Sequence, residues 1–424
     1  MINEYILRNL YDMALSAADP AKVIADYLPI PTSGRTFVIG AGKAAASMAQ
    51  ALENNWDNEN HPLTGMVITR YDHSLKTKYI KVVEASHPVP DETGAKATRD
   101  ILMMLKTAKL TKDDLVICLI SGGGSSLLSM PAPCLSFEEK QNINKQLLKS
   151  GANISDMNCV RKHLSSVKGG RLALACSPAR LHTLIISDVP GDDPATIASA
   201  PTIADKTTNE EAINIIKKYN ISVSDKIIPW LENPNNETPK PNHPDLPDQD
   251  IYIIASAQTA LEAAAQRARK LKITPYILSD RMEGEANQCG FFHASMALQI
   301  HNYNQPFEKP CIILSGGETT VTIKDKHGKG GRNTEFLLST MNEIGTGKKI
   351  FGIACDTDGI DGTEDAAGAY FMPDTLEKAL KLNIDPKSYL EDHDSYSFFE
   401  KTQSLIKTGP TYTNVNDFRA ILIT

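Results

Sequence analysis

Short runs of β-branched and apolar residues alternate with stretches of helical periodicity along this chain, and the alternation occurs twice. From Arg35 onward TFVI (36–39), MVIT (66–69), IKVVE (80–84), LVICLI (115–120) and TLIIS (183–187) read as strands, with helical patterns at 41–53, 91–105 and 157–176. Such strands are apolar throughout, as expected where helices cover both faces of a parallel sheet. Residues 229–250 interrupt the rhythm with six Pro and no apolar period, in the manner of a linker or a long surface excursion. It resumes with IYIIA (251–255), a helix at 258–270, YILS (276–279), a helix near 285–299, IILS (312–315), TVTI (320–323) and IFGIA (350–354). The expected architecture is α/β: two Rossmann-like three-layer α/β domains, 1–240 and 241–424, with an interdomain cleft.

Composition narrows the function. With 424 residues and domains of roughly 150 residues as a guide, the chain can bury a core without disulfides. Lys plus Arg is 44 against 51 Asp plus Glu, a net charge of −7 that repels a phosphate backbone, so neither nucleic acid nor an anionic membrane is an expected partner. The seven Cys form no Cys-x-x-Cys pair, and Cys118, Cys159, Cys311 and Cys355 sit in or beside apolar runs, as thiols do in a reducing cytoplasm. Acids interrupt the N-terminal apolar pattern, so no secretory signal is read there. No apolar stretch reaches the roughly 18 residues needed to span a bilayer.

In open parallel sheets ligands bind beyond the carboxyl ends of the strands, which makes the following loops the candidates for chemistry. GAGKAA (40–45) matches G-x-G-x-x-G/A between strand and helix through Gly40 and Gly42. The acid expected about 20 residues later is replaced by Arg70, which would suit a 2′-phosphate. Lys43 at the helix start adds a cation where backbone N–H groups already favour an anion; the competing reading is a tight turn with an exposed lysine. SGGGSS (121–126) offers Gly122, Gly123 and Gly124 for close backbone approach to an anion, with Ser125 and Ser126 as donors. It is neither a P-loop nor a G-x-S-x-G elbow. CIILSGGETT (311–320) repeats the turn from strand into Ser-Gly-Gly with Gly316 and Gly317. GKGGRN (328–333) then brings Arg332 to a helix start, where a guanidinium suits phosphate or carboxylate. Lys324, Lys326 and Lys329 read as solvated hairpin charges.

Carboxylates follow two further strands. Asp188, with Asp192 and Asp193 in SDVPGDDP, can hold Mg²⁺ or accept a hydroxyl proton, although an Asx turn accounts for Asp193. Asp356, Asp358, Asp361, Glu364 and Asp365 follow IFGIA; their register fails as an EF-hand, which leaves a Mg²⁺ site or substrate contacts open. Arg161, Lys162 and Lys168 form a basic stretch suited to a carboxylate or phosphate, or else a solvated helix face, while His87 and Asp91 read as turn and cap residues. Glycine loops, placed cations and acids at strand ends are together the parts of phosphoryl transfer.

VIGAGKAAASMA, SHPVPDETG, LISGGGSSLL, RKHLSSVKGGRLA, IISDVPGDDPATIASAPT, SGGETTVTI, GKGGRNTE, TDGIDGTEDAAGA and GPTYTNVNDFRAILI follow one another from about Phe37 to the C-terminus. In that order they resemble the class II glycerate 2-kinases, the MOFRL family. The resemblance implies ATP-dependent phosphorylation of D-glycerate at its 2-hydroxyl in the interdomain cleft, giving 2-phosphoglycerate, with Mg²⁺ or a similar divalent cation. It implies Lys43, Asp188 and Arg332 as catalytic residues. Lys43 and Arg332 would neutralise the transferring phosphoryl group or the glycerate carboxylate, and Asp188 would orient or deprotonate the 2-hydroxyl. Gly40, Gly42, Gly122, Gly123, Gly124, Ser125, Ser126, Gly316 and Gly317 would hold nucleotide phosphates. Arg161, Lys162, Asn333 and Glu335 would bind substrate, and Asp188, Asp192 and Asp358 a metal.

Two positions depart from the family pattern. Asp356 stands where a small Gly is usual, which favours Asp358 as the site residue, and Tyr412 replaces a Gly of GPTxTNVND, which bears on the backbone near Asn414 and Asn416. A homodimer is compatible with this reading. The alternative is an NAD(P)H-dependent hydroxypyruvate reductase, a label that family members often carry. It would use Gly40, Gly42 and Arg70 but lacks an identifiable general acid, His163 being the one candidate. A nucleotide-binding regulator would keep the glycine loops but has no use for so many acids at strand ends.

Overall fold

The computed structural model describes residues 2–323 and 328–424, so Lys324 and Lys326 lie outside the described residues. Two six-stranded sheets form, with helices on both sides, and the α/β class read from the sequence is the one observed. The first sheet contains β1 (Thr36–Ala41), β2 (Leu63–Arg70), β3 (Ile80–Ala85), β4 (Leu115–Ile120), β5 (Arg180–Ile186) and β6 (Gln249–Ala255). Its order is β3-β2-β1-β4-β5-β6, and the pairs from β3 through β5 are parallel. This is the doubly wound order, in which the connections turn opposite ways on either side of β1 and β4. The GAGK and SGGGSS loops follow those two strands and therefore leave the sheet side by side.

Every residue of β1 and β4 is buried, as their unbroken apolar character requires. Gly40 and Gly42 are needed by this packing before any ligand is considered. A Cβ on Gly40 would lie 2.0 Å from the Leu119 carbonyl oxygen, and one on Gly42, whose φ is +148°, would lie 2.0 Å from Ser121 Oγ.

The second sheet contains β7 (Thr274–Glu285), β8 (Cys311–Thr320), β9 (Ile350–Asp356), β10 (Gly368–Phe371), β11 (Leu405–Ile406) and β12 (Asp417–Ile423), in the order β11-β10-β9-β12-β8-β7. Only β7 and β8 run parallel; β12 is antiparallel to both its neighbours, and β10 is antiparallel to β9 and β11. The sheet is thus mixed where an all-parallel one was expected. Its central strand is DFRAILI, buried at every position. TVTI (320–323) is not a strand of its own: β8 runs on to Thr320 and residues 321–323 lie outside it. The core of this unit packs Ile313, Ile421 and Ile423 of the sheet against Phe336, Leu337, Met341, Phe398 and Phe399 of its helices.

The helix expected over 157–176 is two helices, Ile154–His163 and Arg171–Cys176. Gly169 and Gly170, at φ +59° and +82°, break it, and their N–H groups donate to Ser199 O and Ala200 O at 3.2 and 2.8 Å. IYIIA lies in β6, beside β5, so the Pro-rich segment is an excursion that returns to the first sheet.

The chain forms two compact units: Val23–Ser187 with Asp192–Ile254, and Met1–Lys22 with Asp188–Gly191 and Ala255–Thr424. These bounds differ from a single division at 240/241 for two reasons. The first sheet is completed after residue 240 by β6, and the helix Ile2–Ala18 packs on the helix Ala257–Lys270. Tyr11 of that first helix donates its hydroxyl to Asp356 O at 2.7 Å.

Candidate active site

In the Val23–Ile254 unit the two adjacent loops lock onto each other. The Lys43 N–H donates to Gly122 O at 2.8 Å and the Ala44 N–H to Ser121 Oγ at 3.0 Å. These two amides lead into the helix Ala45–Asn55, so they are engaged within the protein and are not offered to a dinucleotide pyrophosphate. The Gly124 and Ser126 amides donate to Ser121 O and Gly123 O, and Ser126 Oγ also donates to Gly123 O at 3.0 Å. The Lys43 stem runs beside Gly123, where an added Cβ would lie 3.4 Å from Lys43 Cγ and 2.8 Å from His87 Cδ2.

A cavity of 780 Å³ opens beside this loop. Its walls are the segment 87–90, Gly123, Ser125 and Ser126, one face of the helix Phe137–Lys149, Arg161 and Lys168. The break after His163 turns Lys168 into this wall, and its Nζ donates to Ser125 O at 2.5 Å and to Ser125 Oγ. Ser125 Oγ and Ser199 Oγ are 2.9 Å apart, and Ser199 Oγ donates to Asn158 Oδ1 at 3.2 Å. Ser199 is the middle of three successive non-glycine residues in the left-handed region, Ala198, Ser199 and Ala200, at φ +52°, +58° and +56°. Backbone strain of about 1–3 kcal/mol per residue is thus concentrated behind the serine pair.

Two buried lysines and a half-buried arginine face this cavity. Lys140 is 6% and Lys168 2% exposed; Lys140 Nζ donates to Ser129 Oγ at 3.0 Å and Arg161 Nε to Asn144 Oδ1 at 3.3 Å. Among the described residues no carboxylate pairs with any of the three, and the charges acting on the lysines are those of their cationic neighbours. Burial and then Arg161 push Lys140 down to about 7. Burial, then Lys140 and Arg161, hold Lys168 well below the ordinary lysine range, and burial lowers Arg161. Perturbed cations gathered in a cavity mark an anion site better than they mark a stabilising core.

A pH signature follows. The unfolded Lys140 takes its proton near the ordinary 10.5 and the folded one near 7, so between those values the unfolded chain binds more protons and stability rises with pH. Lys140→Met removes this handicap. In urea unfolding its advantage over the parent is expected to be largest below pH 7 and to fade toward pH 10; an advantage independent of pH would contradict the assignment.

The neighbouring positions turn elsewhere. Lys162 Nζ donates to Asp205 Oδ1 at 3.3 Å in the interior. His163 is buried, with Nδ1 at 2.8 Å from Cys159 O and Nε2 at 3.0 Å from Glu237 Oε1, and burial lowers its pKa. It is a core histidine packed on its own helix. Asp91 caps its helix by accepting from Gly94 N, and Asp193 accepts from Ala195 N in an Asx turn. Asp192 sits at the bend before it with φ +55°.

In the second unit the helix Arg332–Ile344 begins on a carboxylate. Asp361 accepts from Asn333 N and Thr334 N, each at 2.9 Å, and from Thr334 Oγ1 at 2.8 Å, while burial raises its pKa. The helix start that the sequence offered to an external anion is thus occupied from within. Arg332 donates from Nε to Asp417 Oδ1 at 2.7 Å, from Nη2 to Asp356 Oδ2 at 2.9 Å and from Nη1 to Glu318 Oε1 at 2.7 Å. Burial opposes its charge, and Asp417, Asp356 and Glu318 outweigh burial and raise its pKa. Asp417 also accepts from Asn333 Nδ2 at 2.7 Å and from the buried Arg419. Of the three carboxylates on Arg332, only Glu318 faces solvent, at 51%.

Asp356, the departure from the family pattern, is therefore a partner of Arg332, and it accepts the Asp358 N–H at 3.0 Å; Asp358 Oδ1 accepts from Ile360 N at 2.9 Å. Glu335 is buried against His393 Nδ1 at 2.8 Å. Asn414 Nδ2 donates to Asp188 Oδ2 at 3.2 Å, and the Asn416 amide donates to the Asp188 carbonyl. Tyr412 keeps the left-handed backbone, at φ +59°, that suits a glycine, so the turn leading to these asparagines is preserved. Gly317, at φ +117°, lies where a Cβ would meet Met282 N at 2.2 Å, and Gly316 O accepts from Arg419 Nη1 at 3.4 Å; close packing in the sheet accounts for Gly317. Among the described residues no three His, Cys, Asp or Glu side chains converge as metal ligands.

Lys140, Ser199, Glu318, Asp417 and Arg419 went unread in the sequence. Lys140 lies in a helix rich in charge, where nothing distinguishes one buried lysine from its solvated neighbours. Asp417 and Arg419 did carry a signal: opposite charges two residues apart on one face of an otherwise apolar strand must pair in the interior.

Residues 6–232 match the family described as "Domain of unknown function (DUF4147)", and residues 311–417 match the MOFRL family. A protein of Agrobacterium vitis with the provisional name hydroxypyruvate reductase is 48% identical over 99% of this chain and 94% of its own. A glycerate 2-kinase of Pyrococcus horikoshii is 39% identical over 100% of this chain and 98% of its own. The crystal structure of glycerate kinase from Thermotoga maritima superposes with a TM-score of 0.90 at 35% identity, covering 99% of each chain.

Proposed function

Because the chain belongs to the MOFRL family of class II glycerate 2-kinases, we propose that it transfers the terminal phosphoryl group of ATP to the 2-hydroxyl of D-glycerate. The observation that carries this reading is the cavity beside the glycine loop after β4, faced by Lys140, Arg161 and Lys168, with which no carboxylate of the described residues pairs. Phosphoryl transfer asks a protein chiefly for positioned charge, and this site supplies it.

In this reading Lys43, whose stem passes Gly123, neutralises the transferring phosphoryl group or the glycerate carboxylate. Asp188 accepts the 2-hydroxyl proton as the oxygen attacks, held in place through its carboxylate by Asn414 and through its carbonyl by Asn416. Arg332 is fixed by the buried Asp356 and Asp417, and an anionic substrate group would displace the exposed Glu318 from its remaining arm. Mg²⁺ accompanies ATP in most such reactions, held by phosphate oxygens and one or two carboxylates. The described residues, Asp188, Asp192 and Asp358 included, do not build a protein cage for it, and no step here runs through a metal. Seven free thiols and the absence of any described helix long and apolar enough to cross a membrane support a cytoplasmic location.

The reductase reading has less support, because the amides of Lys43 and Ala44 are engaged by the neighbouring loop and His163 is buried on its own helix. A coupled assay decides between the two. Formation of 2-phosphoglycerate from D-glycerate, dependent on ATP, is expected; oxidation of NAD(P)H by hydroxypyruvate without any ATP requirement would overturn the proposal.

A further inference from the structure

We infer that the 780 Å³ cavity of the first unit is the nucleoside triphosphate site, with Lys140, Arg161 and Lys168 holding the phosphates and the apolar rim of Val89 and Leu148 receiving the base. The inference rests on the kinase reading for the identity of the nucleotide, but the geometry stands on its own. At the helix start of the first unit the Lys43 and Ala44 amides are engaged by Gly122 O and Ser121 Oγ, and the start of the helix Arg332–Ile344 is capped by Asp361. Side-chain cations are what remain to hold a polyphosphate, and the described cations without a carboxylate partner that gather in a cavity are those around Ser125.

Charge and size argue for a triphosphate over a small hydroxy acid. Lys140, Lys145, Arg161 and Lys168 line the cavity against the single carboxylate of Glu138. A monoanion the size of glycerate would leave most of these basic groups without an anionic partner and most of the space empty, whereas 780 Å³ falls within the range of about 300–1,000 Å³ typical of pockets for larger ligands. The rim is apolar in kind: Val89 is 62% and Leu148 66% exposed, and Pro88 and Pro90 flank Val89. Exposed aliphatic side chains at the mouth of a cationic cavity suit a ligand with a planar apolar end and a polyanionic end. Lys168 reaches both oxygens of Ser125, so phosphate at this wall would replace serine as its partner.

Calorimetry with a non-hydrolysable ATP analogue, inorganic tripolyphosphate and D-glycerate separates the sources of the anion. Arg161, which the family resemblance offered to the substrate, is here assigned to the nucleotide, so Arg161→Gln and Lys168→Met are both expected to weaken the analogue and tripolyphosphate tenfold or more and to leave the KM for D-glycerate within twofold. Lys145→Glu and Leu148→Asp lie on exposed positions and spare the fold, so they test the site even where a buried variant fails to fold. Lys145→Glu is expected to weaken both phosphate ligands severalfold, and Leu148→Asp the analogue more than tripolyphosphate. Unchanged analogue binding in the folded variants would overturn the inference, as would a loss confined to D-glycerate, which would make the cavity a carboxylate site. A parent protein that binds the analogue here yet forms no 2-phosphoglycerate would sink the kinase reading and leave the nucleotide site standing.

Discussion

Arg332→Ala is expected to lose stability and activity together. The substitution strands Asp417, whose side chain is fully buried, and Asp356, 6% exposed, without their shared guanidinium. Removing one partner from a buried ion pair typically costs about 3–5 kcal/mol, because the remaining charge is left under-compensated away from water. Arg419 softens the loss at Asp417, so the lower end of that range is expected in urea unfolding. Activity should fall by 100-fold or more, about 3 kcal/mol of transition-state stabilisation. Arg332→Lys separates the two effects: one ammonium keeps a charge near Asp417 but cannot serve three carboxylates in the fork geometry of a guanidinium. Recovery of most of the stability with little of the kcat/KM is the expected pattern. Normal turnover in a folded Arg332→Ala protein would reduce the residue to a structural tie.

Lys43→Ala is expected to cost activity while leaving the two loops packed. Its backbone contribution, the N–H donated to Gly122 O, survives the substitution, so the packing of the two loops should hold. The side chain beside Gly123 is what disappears. If its ammonium meets charge that develops in the transition state, kcat/KM falls by two or more orders of magnitude, about 3 kcal/mol, with kcat carrying most of the loss. A rise in KM with kcat intact would assign Lys43 to ground-state binding alone, and near-parent kinetics would remove it from the reaction.

The site was legible where chemistry follows strand order. LVICLI coincides with β4 and TFVI opens β1, so the loops after them were marked as candidates, and the sheet does bring them side by side. Glycine was read there as room for an anion, but Gly40 and Gly42 are required by the neighbouring strand and turn, because a residue pattern does not say which surface approaches it. Arg161 and Lys168 were singled out together with Lys162; the helix break at Gly169 and Gly170 leaves the first two on the cavity and Lys162 on Asp205. In the other half, Arg332 was read as reaching outward, and three carboxylates distant in sequence hold it.

By itself the sequence determined the layers: apolar runs too uniform for one-sided strands, helices between them, and loops rich in glycine and charge at the ends. These are local properties, set by periodicity and by the intolerance of buried strands for polar side chains. Direction, register and charge pairing were decided only when the chain closed on itself. β12 enters the middle of the second sheet antiparallel, Asp417 reaches an arginine 85 positions away, and Lys140 becomes buried beside cations with no described carboxylate paired to it. The reason is physical: an ionic group takes its energy from the dielectric and the charges around it, and tertiary packing sets both.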